Sequence, residues 1–209
     1  MLDRATVEII KATVPAVKAH ADAITTCFYP LMFEQYPQVM PYFNQTNQAK
    51  GTQPKELANA VVAYGANIDE LGNLSDAVAQ IVQKHCSLGV QPEHYDIVGT
   101  CLLQAISTVL GAAATHDVID AWGKAYAQLA AILIAAEETV YAATEHGKGG
   151  WRGERAFRLV KRIDESSIIT SFYLEPADGE SVPDFEAGQA ITVVMEINGE
   201  SMRRTYRRS

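Results

Sequence analysis

Apolar residues in the first two thirds of the chain recur at three- and four-residue intervals, the period of helices with one buried stripe. The spacing predicts six helices. The first covers about Ala5 to Lys18, with Asp3 as a candidate N-cap and Pro15 as a potential kink. The second covers about Ala21 to Gln35 and stops before Pro37, where "PQVMPYF" makes a short turn. A third opens at "TQPKELANAVVAYGANI", with Thr52 as a cap and Pro54 in the first turn. The fourth, capped by Ser75, runs through "AVAQIVQKHCSL"; the fifth starts at Pro92 and runs to about Leu110; the sixth runs from Asp117 to about Ala143. After residue 146 the pattern changes. "HGKGGWRG" reads as a connector, and "RAFRLVKRI", "IITSFYLEP" and "ITVVMEING" are short, partly alternating runs separated by the turn signals "PADGE" and "NGE". A mainly α, orthogonal helical sandwich or bundle over residues 1–143 thus leads through a linker, 144–150, into an antiparallel β segment, 151–209.

Three polar residues break the apolar stripes. His85 lies about 20° around its helix from Val78 and about 40° from Ile81, inside the buried stripe. Such a histidine is either a hydrogen-bonded core residue or a ligand. Tyr95 extends the stripe of Val98, Leu102, Ile106 and Val109 backwards by a turn. Glu137 continues the stripe of Tyr126, Leu129, Ala130 and Leu133, and a buried carboxylate needs a partner unless it snorkels to water. Together the three suggest a hydrogen-bonded relay around an imidazole. No second His or Cys lies three or four residues from His85, and His94 beyond the Gly-Pro break is expected to be exposed, so a zinc site of protein ligands is a poor fit. A single buried ligand suits a metal already held by a macrocycle, which means haem. The third helix supplies an opposite wall through Gln53, Leu57, Val61, Tyr64 and Ile68. Phe43, in the polar loop "PYFNQTNQ", is placed to stack on something flat. Periodicity leaves the facing of Tyr29 open.

Charge and composition narrow the function classes. The net charge of −8 resides entirely in residues 1–146, while residues 147–209 are balanced. An acidic helical part argues against nucleic acid. The basic run "MRRTYRRS" reads either as a water-facing strand or tail, or as a phosphate-contacting segment. Cys27, Cys86 and Cys101 are odd in number and show no CxxC spacing, which suggests a reducing compartment, the cytoplasm. There is no uninterrupted apolar run long enough for a membrane span and no signal-peptide pattern at the start.

The stretches "FNQTNQ", "ANAVVAYGANI", "QKHCSLGVQPEHYDIVGTCLLQAI", "DAWGKAYAQLA" and "GGWRGERAFRLVKR…ITSFYLEPADG" occur in the order found in the flavohaemoglobins, and the sequence resembles that family over its whole length. The resemblance implies a globin fold followed by the start of a ferredoxin-reductase-like FAD barrel. It implies His85 as proximal haem ligand, with Tyr95 and Glu137 as the partners that modulate it and Lys84 near the same network. It further implies Tyr29, Gln53 and Leu57 in the distal pocket, Phe43 as the wedge against haem, and Tyr126 on the proximal side. The implied activity is nitric oxide dioxygenation: NO and O2 become nitrate, with electrons passing from NAD(P)H through FAD to haem b. The alternative is a gas-binding globin without its own reductase, acting as oxygen carrier, sensor or electron acceptor.

Several features depart from the family. No dinucleotide glycine fingerprint is present, so an NAD(P)H site is not expected in this chain. Where the family reads Gly-Gln-Tyr, this chain reads Gly188-Gln189-Ala190. The flavin motif is either Arg204-Thr205-Tyr206-Arg207, lacking its serine, or begins at Arg208-Ser209. FAD binding therefore stays open. Roughly three strands are expected, with edges and apolar faces that a separate reductase or partner chain would cover.

Overall fold

The computed structural model describes residues 2–43, 52–185 and 189–207. The helices are α1 (Arg4–Ala19), α2 (Ala21–Gln35), α3 (Thr52–Ala66), α4 (Ser75–Leu88), α5 (Pro92–Leu110) and α6 (His116–His146), with 3-10 turns at Pro37–Tyr42, Leu71–Leu74 and Gly111–Ala113. Asp3 caps α1, accepting from the Thr6 amide at 2.8 Å. Pro15 sits inside α1 without ending it. Ser75 is not the cap of α4. The 3-10 turn runs straight into the helix, the Ser75 amide donates to Gly72 O, and Leu74 takes the N-cap position without a side-chain bond. Thr115 caps α6, accepting from the Val118 amide.

Helix α6 runs to His146, one turn past the expected end near Ala143. Thr144 and His146 bond back to the carbonyls of Val140 and Ala142. Arg152 folds over the same turns, paired with Glu138 and Glu145 and with its guanidinium 5.6 Å from the Tyr141 ring centroid.

The main core gathers Ile10, Val17, Ile24, Phe28, Met32, Cys101, Leu102, Ile106, Trp122 and Ala125. A second cluster is built on Val82, Tyr95, Ala130 and Leu133, and Tyr126 and Leu129 pack against both. Helix α3 rests on α1 and α2, whereas α4 packs on α6. Residues Pro92–Ala113 and helix α6 are long and apolar enough to cross a bilayer by length and composition. Within them Leu102, Ala105, Ile106, Trp122 and Leu133 are buried in the helical core.

Among the described residues four strands follow, rather than roughly three. β1 (Phe157–Asp164) pairs antiparallel with β2 (Thr170–Pro176), with a register irregularity between Leu159 and Lys161. β3 (Ala190–Ile197) pairs with β4 (Glu200–Arg207) through Asn198-Gly199, whose φ values of 53° and 82° suit a tight hairpin turn. Residues 202–207 of the basic run are thus strand, with Arg204, Thr205 and Tyr206 facing water. The Arg203 side chain is only 11% exposed. The two hairpins form separate sheets, and Leu159, Val160, Ile169, Phe172 and Tyr173 remain exposed on the first.

Candidate functional site

Helix α4 carries His85 in its last turn and closes at Gly89, whose φ of 77° is the left-handed cap that glycine adopts without strain. The His85 Nδ1–H donates to Glu137 Oε1 at 2.7 Å. The Tyr95 hydroxyl donates to the same oxygen at 2.5 Å and stands 2.9 Å from Nδ1. Glu137 is 2% exposed, so two donors on one oxygen are what make its burial tolerable. A proton held on Nδ1 by a carboxylate leaves Nε2 of the neutral ring with its lone pair. No described residue is hydrogen-bonded to that nitrogen, and the side chain is 30% accessible. Burial, reinforced by Glu137, holds the Tyr95 hydroxyl far above the ordinary tyrosine range, so it stays a donor.

The triad is braced from behind. The Tyr126 hydroxyl donates to the Tyr95 backbone carbonyl at 2.7 Å. Its ring lies on Gly99, where a Cβ would come 2.5 Å from a ring carbon. The Tyr141 hydroxyl donates to Val90 O at 2.8 Å, securing the turn after α4. The Cys86 thiol lies near Glu137 O, and burial pushes its pKa up.

The helical unit also holds an aromatic and apolar wall. Tyr29 is buried, its ring 4.8 Å from Phe28, 6.0 Å from Phe33 and 5.8 Å from Phe43, centroid to centroid. The facing that periodicity left open is therefore inward, on the Phe43 side. Phe43 packs edge-on against both Tyr29 and Phe33. Leu57 lines a small apolar cavity with Ile24, Thr25, Val61 and Leu102. A second cavity adjoins it across Val61 and Leu102 and reaches Tyr64, Trp122, Tyr126 and Leu129. Burial pushes the Tyr64 hydroxyl up to about 12.

Not every expected site residue joins this arrangement. Lys84 is exposed beside His85, outside the triad. Gln53 lies in the first turn of α3, and its side chain is outside the described residues, as are Gly188, Arg208, Ser209 and most of "FNQTNQ". His94 is not exposed. It is half-buried, its Nδ1 accepting from the Gln91 amide at 2.9 Å and its ring 4.3 Å from that of Tyr42, because the entry turn of α5 folds it back as a cap. Burial lowers its pKa. Gly99, Tyr141 and Arg203 escaped the sequence reading. Each acts through a tertiary neighbour that no local spacing reveals.

The globin family pattern matches residues 26–133. The chain belongs to the globin family. Within it, the relationship runs to flavohemoproteins: one from Pseudomonas aeruginosa is 53% identical over 207 residues, covering 99% of this chain and 53% of that protein. A flavohemoglobin crystal structure from Malassezia yamatoensis, with bound FAD and heme, matches with a TM-score of 0.83 at 30% identity, covering 99% of this chain and 53% of that one. A bacterial globin from Campylobacter jejuni matches with a TM-score of 0.64 at 38% identity, covering 67% of this chain and 99% of that one. The chain spans about half the length of the curated relatives it matches. The helical globin fold followed by the opening strands of a reductase-like segment is thus a family architecture, and kinship with these proteins supports haem as its cofactor.

Proposed function

We propose that this chain binds haem b through His85 Nε2 and that, supplied with electrons, it converts nitric oxide and O2 to nitrate. The observation that carries the reading is the His85–Glu137–Tyr95 triad, which fills one ring nitrogen with hydrogen bonds and leaves the other for a metal. Among the described residues no group of three or more His, Cys, Asp and Glu is placed to hold a bare ion. The donor set fits a macrocycle that brings its own four nitrogens.

When bound, haem supplies the iron at which gases are held and electrons are taken up. The protein does the rest. Glu137 draws the Nδ1 proton towards itself and so makes the imidazole a stronger donor. Tyr95 keeps that carboxylate in place. Phe43, Leu57 and Tyr126 would hold the faces of the ring, with Lys84 at its edge. Tyr29, with Gln53 as its expected companion, would offer a hydrogen bond to negative charge developing on a gas in the distal pocket. The apolar cavities beside Leu57 suit small uncharged ligands and exclude ions.

In this reading residues 1–143 form the haem unit and 151–209 begin a flavin barrel, with the cytoplasm as its compartment, where the three free thiols stay reduced. The test is direct. The haem-loaded chain, reduced and exposed to O2, should consume nitric oxide and release nitrate in equal amounts. Haem uptake with reversible O2 binding but no nitrate would favour the carrier or sensor role instead.

A further inference from the structure

Arg203 of β4 is a largely enclosed cation, its side chain 11% exposed, set between two corners of the globin. Its guanidinium carbon stands 4.5 Å from the centroid of the Tyr42 ring, and that ring lies against His94. Its Nη1 comes within 3.7 Å of where a Cβ on Gly89 would be. Its Nη2 donates to Glu154 Oε1 at 2.8 Å, and Glu154 itself is 63% exposed. Its Nε is buried without a hydrogen-bond partner among the described residues. A guanidinium presents five donors in a fixed fork, made for bidentate carboxylate recognition. Here one arm is used and an adjoining donor is open.

The placement is informative. Tyr42 precedes Phe43, the residue that closes the aromatic wall at Tyr29. His94 precedes Tyr95 of the triad. Gly89 caps the helix one turn beyond His85, about 6 Å along its axis. Arg203 therefore sits between the corner that leads into the aromatic wall and the corner that follows the His85 helix. Haem carries two carboxylates on its rim.

We infer that Arg203, from the β segment, is a cofactor-binding residue that accepts a haem propionate on its open donor edge, so that β4 latches the haem cleft. The inference rests on the haem reading above. It assigns Arg203 a ligand of carboxylate class, with Glu154 retained on the Nη2 side.

The experiment compares haem loss from the wild-type chain and from Arg203→Gln, each reconstituted with haem or with haem dimethyl ester, whose propionates are capped. The readout is the rate of transfer to excess apomyoglobin. Arg203→Gln should release haem roughly tenfold faster or more and leave the rate for the diester unchanged. Equal acceleration of both cofactors would mean that Arg203 only docks the hairpin, and equal rates for both proteins with haem would remove it from the site; either overturns the inference. Should the Gln variant fail to fold by circular dichroism, Arg203→Lys, which keeps the charge but loses the fork, should show the same cofactor dependence at smaller amplitude, and its absence is equally decisive. A wild-type chain that takes up neither cofactor would bring down the haem reading itself.

Discussion

Tyr126 donates to the backbone carbonyl of Tyr95 at 2.7 Å while its ring covers Gly99. The bond links α6 to the first turn of α5 and sets the height of the Tyr95 hydroxyl under Glu137. Gly99→Ala would bring a methyl within 2.5 Å of the ring, so Tyr126 must move. Overpacking of this kind costs about 1–3 kcal/mol. The expected outcome is a lower urea midpoint with an unchanged m-value, read by circular dichroism. A midpoint equal to wild type would mean the ring gives way freely.

Glu137 accepts both hydrogens of the triad on one buried oxygen. Glu137→Ala removes the acceptor shared by the His85 Nδ1–H and the Tyr95 hydroxyl; these two groups stand 2.9 Å apart, so one of them is left unpaired, at a cost of about 1–3 kcal/mol. Glu137→Gln keeps an acceptor but removes the charge. Ala should unfold well before Gln in urea, and both should lower the iron–histidine stretching frequency of the ferrous haem-loaded chain. A frequency unmoved in Glu137→Gln would show that the carboxylate does not tune the ring.

Tyr29 is buried beside Phe43, and in the proposed haem reading its hydroxyl is the distal donor. A hydrogen bond to a charged acceptor contributes about 1.5–3 kcal/mol. Tyr29→Phe should therefore speed O2 dissociation roughly ten- to hundredfold, measured by laser or stopped-flow displacement with carbon monoxide. An unaltered off-rate would place the donor elsewhere.

His94 gives a pH dependence whose sign is fixed. Burial lowers its pKa in the fold, with Arg203 acting in the same direction and Glu93 opposing. The unfolded chain then binds the proton first. Stability is full above the unfolded value of about 6.5 and falls as pH drops from there towards the lowered folded value. Protonation also removes the Nδ1 lone pair that accepts from the Gln91 amide. His94→Asn, whose side-chain oxygen can still accept, should flatten the loss of urea stability between about pH 6.5 and 5. An acid slope identical to wild type would exonerate His94.

The legible part of this molecule is the part written in single-helix periodicity. His85, Tyr95 and Glu137 each stand on an apolar stripe where a polar residue is anomalous, so three separate helices point to one relay without any knowledge of their packing. The Asn198-Gly199 turn was equally visible as a signal, but the basic run after it read as a water-facing strand, a tail or a phosphate-contacting segment, and only its pairing with β3 decides for the strand. Ser75 resembled a cap because the 3-10 turn before it leaves no hydrophobic signature. Gly99 and Arg203 were out of reach for a different reason. Their meaning lies wholly in Tyr126 and Tyr42, 27 and 161 positions away in the chain, and only the folded structure joins them.

Coordination of iron by His85 is tested most directly by resonance Raman spectroscopy of the ferrous, haem-loaded chain beside His85→Gly, with and without added imidazole. The wild type should show an iron–histidine stretch that the variant lacks and that imidazole restores in altered form. The same stretch in the variant without imidazole, at the wild-type frequency and with full haem content, would place the ligand on another residue and contradict the account.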